Sequence, residues 1–278
     1  MARSLMLGLA VAGCGRTSPF LDYDEFDIFP AIKDPITEGC GKVDYLFVID
    51  NSASMADYQR RLVQNFSTFI EGVQRSQDTL DSVHVGVVTT DNYAGNPAPC
   101  DQLGDLVVGT EGYNSSESQC GPYTEGHPYM TESDDLAASF ACAAQVGTQG
   151  SDQERPLAAV GYALNADKLR EGGCNAGFIR DDALLVIAVI TDEDEPEVVD
   201  FAYERAVEAK NGLSDNVVAV ALVVTPDGPC LPHGHPRVGH GIAQFARSFE
   251  HSFVGPICDD DYGPTFAAAV AVVQSACG

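Results

Sequence analysis

"YLFVIDNSASM", residues 45–55, is an apolar run that stops on a carboxylate, Asp50, with hydroxyls following at alternate positions, Ser52 and Ser54. The run has the length of a strand, and no polar residue alternates within "YLFVI". A strand without alternation is covered on both faces, as happens in a parallel sheet between two layers of helix. The rest of the chain is read against that expectation.

Outward from this stretch the pattern repeats. Leu62, Phe66, Phe69, Ile70 and Val73 sit at helical spacing within residues 57–73. "VHVGVVTT" (83–90) is a second strand, and "ALLVIAVIT" (183–191) and "VVAVALVV" (217–224) are unbroken aliphatic runs. Helices are expected near 154–168, 197–210 and 238–250, with a short strand around "SFVG" (252–255) and a last apolar helix over 264–276. Strands alternating with helices predict one doubly wound α/β domain over residues 40–278, its central sheet mostly parallel. Residues 91–133, rich in Gly, Pro, Ser and Asn, interrupt the rhythm. A loop insert of that length inside a compact domain is commonly functional.

Charge narrows the function classes. The chain has 278 residues, 15 Lys and Arg against 41 Asp and Glu, and a formal net charge of −26. Such a surface repels phosphate backbones, which argues against nucleic-acid binding. The N-terminal "MARSLMLGLAVAGC" has one cation, Arg3, an apolar stretch from Leu5 to Val11, then small residues and a cysteine. It reads as an export signal over 1–13, too short to span a bilayer. "VAGC" is similar to the lipobox of bacterial lipoproteins, which implies lipidation of Cys14 as the first mature residue. The thirteen residues before Cys14 are fewer than the ~15–30 usual for such signals, which sets the expectation of a start upstream. Residues 14–39 read as an acidic tether, about 80 Å at full extension. Its aromatics Phe20, Tyr23, Phe26 and Phe29 offer a docking alternative. The expected location is the cell envelope, at the outer membrane or cell surface.

Cysteine count agrees with export. With Cys14 assigned to lipid, eight remain, an even number that allows 105 pairings. No CxxC is present, which argues against a zinc cluster. Cys40 precedes the first strand and Cys277 ends the last helix, so both belong at the bottom of the sheet. Cys230 and Cys258 each follow a strand, so both belong at the top. Those two pairs are expected, with Cys100–Cys120 inside the insert and Cys142–Cys174 by elimination.

The chemistry concentrates at strand ends. In a parallel α/β sheet, ligands bind beyond the carboxyl ends of the strands, where Asp50 lies. "VIAVITDEDEP" (186–196) ends in the same manner, at Thr191 and Asp192. Two aspartates at one sheet edge repel each other unless a cation lies between them. Hard cations such as Mg²⁺ take oxygen ligands. Helix capping is the competing use of these serines.

"VDYLFVIDNSASM" together with "VIAVITDEDE" resembles the von Willebrand factor type A domain over residues 43–277. Asp50, Ser52 and Ser54 match the D-x-S-x-S of its metal-ion-dependent adhesion site, and Asp192 matches the family's second aspartate. The resemblance implies a divalent cation, Mg²⁺ or else Mn²⁺ or Ca²⁺, held by the two serines and a later threonine, with the aspartates binding directly or through water. It also implies an open position for an acidic side chain of a partner protein. In "GTQGSDQERPLAAV" (147–160) Ser151 has the spacing of the third hydroxyl and Thr148 has its side chain; both stand as candidates. Ala53 and Glu193 occupy positions where many members have glycine.

Other motifs carry blander readings. His233, His235 and His240 in "CLPHGHPRVGH" could bind zinc or copper, but the Gly- and Pro-rich setting reads as an exposed loop. "CDDDYG" (258–263) reads as helix N-terminal acidity. No HExxH, G-x-S-x-G or P-loop pattern is present, so the expected role is a lipid-anchored adhesion or interaction protein. A structural envelope component ranks second and a Mg²⁺-dependent hydrolase third.

Overall fold

Each central strand sends alternate side chains to opposite faces, and here both sets are apolar. In β1 (Lys42–Ile49), Tyr45, Phe47 and Ile49 enter one core while Leu46 and Val48 enter the other. The computed structural model describes residues 40–76, 81–151, 153–228, 230 and 237–277. Beside β1, the sheet holds β2 (Ser82–Thr89), β3 (Met130–Thr131), β4 (Leu184–Ile190), β5 (Val217–Val223) and β6 (His251–Pro256). The order is β3-β2-β1-β4-β5-β6, parallel throughout except for the short edge strand β3. This is the doubly wound α/β fold. Its winding reverses between β1 and β4, where such sheets open a crevice at their carboxyl edge.

One face is covered by α1 (Ala56–Ser76), α2 (Leu136–Ala144) and α7 (Gly263–Ala276). There Phe47 meets Phe66 and Phe140 edge-on, and the Phe66 and Phe140 rings stack on each other. The other face is covered by α3 (Pro156–Ala163), α5 (Val199–Ala209) and α6 (His240–Arg247), through Leu157, Val160, Ala202, Ile242 and Phe245. The stretch expected as one helix over 154–168 divides, because α3 ends at Ala163 and Asn165 caps a separate turn, α4 (Ala166–Leu169). None of the described helices is long and apolar enough to cross a membrane.

The insert is more ordered than its composition suggests. Asn96 acts as a hub: its Nδ2 donates to Cys100 O (2.8 Å) and Leu106 O (2.9 Å), and its Oδ1 accepts from Val108 N (2.9 Å). Two of the expected disulfides form, Cys40–Cys277 and Cys230–Cys258. The other two are re-paired as Cys100–Cys174 and Cys120–Cys142, in place of Cys100–Cys120 and Cys142–Cys174. The insert does not close on itself but is clamped to its neighbours. Asn175 accepts from Leu106 N and donates to Gly104 O, drawing Cys174 against Cys100. Ser116 donates through its hydroxyl to Cys142 O and through its amide to Gln145 O, laying the Cys120 segment on α2.

At the opposite edge from the crevice, the fully buried Asp44 is held by Arg180, whose Nε and backbone N each donate at 2.7 Å. Burial nevertheless pushes the Asp44 carboxyl up to about 6. The proposed signal, Cys14 and the tether fall outside the described residues, as do His233 and His235.

Candidate metal centre

At the carboxyl edge of the sheet, the row after the last paired residues Thr89, Ile49 and Ile190 is Thr90, Asp50 and Thr191. Asp50 N donates to Ile190 O at 3.1 Å, so β1 stays bound to β4 up to the aspartate itself. The Asp50 carboxylate is fully buried. Its Oδ1 accepts from Ser52 N at 2.7 Å and its Oδ2 from Thr191 Oγ1 at 2.6 Å. The first bond turns the chain back toward the Asp50 carboxylate, and the Ser52 and Ser54 hydroxyls lie side by side. The loop has no side-chain cap at the turn starting with Ala53, so the serines are not used as helix caps.

Ser52 Oγ lies 3.2 Å from Ser54 Oγ, which donates to Asp192 Oδ1 at 3.0 Å. Four residues from two strand ends are thereby brought together: Asp50, Ser52, Ser54 and Asp192. Ser52 and Asp192 are buried while Ser54 is exposed, so the group opens to solvent on the Ser54 side. Burial raises the Asp50 carboxyl to about 6, against the hydrogen bonds from Thr191 and Ser52, and the charge of Asp192 adds to the rise. Burial also raises Asp192. Among the described residues, no Lys or Arg is among the main groups acting on either acid.

The donor set fits a hard divalent ion. It consists of oxygens alone, as Mg²⁺, Mn²⁺ and Ca²⁺ require. Neighbouring ligands of an octahedral ion at ~2.1 Å stand about 3 Å apart, which matches the 3.2 Å and 3.0 Å separations along Ser52, Ser54 and Asp192. Among the described residues no three His, Cys, Asp or Glu side chains gather as a metal cluster. A site here therefore depends on hydroxyls as well as carboxylates.

The third loop packs onto the first. Gln59 Nε2 donates to both Asp50 O (2.9 Å) and Gly147 O (2.8 Å), and Gly150 N donates to Asn51 O at 2.8 Å. Gly150 is required for that approach, since a Cβ there would stand 2.7 Å from Asn51 Cγ and 2.7 Å from Asn51 O. The two candidate hydroxyls have other partners. Thr148 Oγ1 accepts from Asn114 Nδ2 at 2.9 Å, which ties it to the insert. Ser151 is exposed; its Oγ accepts from Gln153 N at 3.0 Å, and its N donates to Asp91 Oδ2 at 2.5 Å.

Glu154 lies outside the hydroxyl pattern that the resemblance implies for this loop. It precedes Pro156, the first residue of α3, and is buried at 7% exposure. Thr90 Oγ1 is hydrogen-bonded to both Glu154 Oε2 and Asn51 Oδ1, its single proton serving one of them, while Glu154 Oε1 is buried without a partner among the described residues. Burial, with Asp50, Asp91 and Glu193 adding to it, pushes this carboxyl up to about 10. The useful signal was an acid two residues ahead of a helix-starting proline.

The remaining acids of the "TDEDEP" stretch have structural work. Asp194 Oδ1 accepts from Gly241 N at 2.8 Å, and Glu195 Oε2 accepts from Leu157 N at 2.8 Å and Ala158 N at 3.0 Å. They satisfy the free amides that begin α6 and α3. Glu193 pairs with Arg237 at 3.5 Å. Asp260 pairs with Arg61 and Asp261 accepts from Gly263 N, consistent with the expected helix N-terminal acidity of "CDDDYG". His240 is the exposed first residue of α6.

Beside the centre lies a crevice of about 380 Å³ between the first loop, the third loop and the insert. Asn51, Asp91, Tyr93, Glu111, Gln149 and Ser151 are among its lining residues.

No family model and no curated protein matches the chain. Among solved structures it is similar to a von Willebrand factor type A protein from Catenulispora acidiphila, at 18% identity and a TM-score of 0.41, over 87% of this chain and 43% of that one. It is also similar to proximal thread matrix protein 1 of the mussel byssus, at 14% identity and a TM-score of 0.42, over 86% of this chain and 49% of that one. The chain thus spans less than half the length of each.

Proposed function

We propose that this chain is an exported interaction module of the von Willebrand factor type A kind, which holds a divalent cation at its sheet edge and uses it to bind a partner protein. The observation that carries the reading is the continuous oxygen path from Ser52 through Ser54 to Asp192 at the point where the sheet reverses its winding. Ser52, Ser54 and Asp192 would hold the ion, and Asp50 would act from behind, its oxygens engaged by Ser52 N and Thr191 Oγ1. The ion supplies positive charge and a coordination position for a partner's oxygen ligand, which the family resemblance gives as an acidic side chain.

The chain's own residues do the rest. Gln59 and Gly150 lock the third loop to the first. The exposed side at Ser54 and the adjoining crevice give a partner access, and the insert shapes that crevice. Four disulfides favour an oxidising compartment, in keeping with export and a lipid at Cys14. Capture of envelope proteins by the immobilised chain tests the reading. Capture should occur with Mg²⁺ and be lost both with chelator and in Asp50→Ala. Capture indifferent to both treatments would refute it. Chelator-induced melting with no partner captured would instead favour a structural role for the ion.

A further inference from the structure

We propose that Glu154 is itself a ligand of the cation, so that a second direct carboxylate, beside Asp192, stands where a hydroxyl was expected. The inference deepens the reading above and rests on it.

Three observations place Glu154 at the centre. First, Thr90 Oγ1 bridges Glu154 Oε2 and Asn51 Oδ1, and Asn51 lies between Asp50 and Ser52 in the first loop. Thr90 and Asp50 are lateral neighbours at the ends of β2 and β1, so the Glu154 carboxyl lies over the same sheet edge as the Asp50 carboxyl. Second, Glu154 Oε1 is buried and unpartnered among the described residues, in a residue only 7% exposed. A buried carboxyl oxygen without a donor is destabilising unless a donor or a cation meets it. Third, the groups acting on it most strongly through their charge are acids, Asp50 first, then Asp91 and Glu193. Arg155 is the cation that opposes them, and Arg155 is itself paired with Asp91 at 3.7 Å. Glu154 therefore faces a negative edge with an open oxygen, the position a metal-bound carboxylate would hold.

The two hydroxyls considered for this role are engaged elsewhere: Thr148 with Asn114 and Ser151 with Gln153 N. Glu154 also reaches the edge from a packed support, because α3 begins two residues later at Pro156 and all its residues but Tyr162 are buried. With Asp50 behind the ion, Glu154 and Asp192 would be its two direct carboxylates, a number that hard divalent cations accept.

Calorimetric titration of the disulfide-intact chain with Ca²⁺ and with Mg²⁺ tests this, comparing wild type, Glu154→Gln and Glu154→Thr. Glu154→Gln keeps an acceptor for Thr90, so the fold is retained, and circular dichroism verifies it. The expected result is saturable binding by wild type, with an affinity for the bound ion at least tenfold weaker in Glu154→Gln and in Glu154→Thr. Terbium luminescence lifetimes in H₂O and D₂O should show more bound water in Glu154→Gln than in wild type. Wild-type binding with affinity within about twofold in Glu154→Gln, and no added water, overturns the role of Glu154 alone. Failure of wild type to bind either ion overturns it together with the reading on which it rests.

Discussion

Replacing Asp50 with asparagine separates the charge of the centre from its shape. Asp50 accepts from Ser52 N and Thr191 Oγ1. An amide retains the first bond through its oxygen, and the Thr191 hydroxyl can turn to accept the second. What changes is the charge. Burial raises the Asp50 carboxyl from the ordinary 3.8 to about 6, so ionising it in the folded, metal-free chain costs about 3 kcal/mol at 1.36 kcal/mol per pH unit. The folded-state value is the higher one, so the stabilisation from this group is complete below about pH 4 and lost as pH rises through 6. Near neutral pH, in chelator, Asp50→Asn should exceed wild type by about 3 kcal/mol, or roughly 6–12 °C in Tm for a domain of this size. That advantage should shrink toward zero as the pH falls to about 4. Saturating cation should stabilise wild type by about 2.7 kcal/mol at a hundredfold excess over Kd and leave Asp50→Asn unmoved. Thermal and urea melts across this pH range, with chelator and with cation, give each quantity. A variant less stable than wild type in chelator, or an advantage independent of pH, would refute the electrostatic reasoning.

Two further outcomes follow from the geometry. Arg180→Ala leaves the buried Asp44 without its ion-pair partner and should cost about 3–5 kcal/mol in urea unfolding; a loss under about 1 kcal/mol would contradict the pairing. Peptide mapping under non-reducing conditions should recover Cys100–Cys174 and Cys120–Cys142, and recovery of Cys100–Cys120 would contradict the clamped insert.

The sheet was legible because its strands are buried on both faces, which leaves unbroken aliphatic runs such as "LLVIAVI" in β4. Asp50 and Asp192 were legible for the same reason: each ends such a run. Two elements, α2 and β3, escaped notice. Five of the nine residues of α2 are Ala, and Phe140, packed on Phe66, is one of its few large anchors. The two residues of β3 carry no periodicity. The insert disulfides failed on a different ground. Sequence proximity suggested a self-closed loop, whereas Asn175 and Ser116 dock it on elements far along the chain. Glu154 was hidden by residue type, since its position is fixed by the Thr90 contact between β2 and the third loop, which no spacing within that loop encodes.

Everything functional rests on buried negative groups at the ends of two adjacent strands sharing one inorganic positive charge. Isothermal titration of magnesium, manganese and calcium into folded, oxidised chain probes that directly. The account predicts saturable uptake of one ion per chain, abolished in Asp50→Ala. Heats no larger than dilution for all three ions would contradict it.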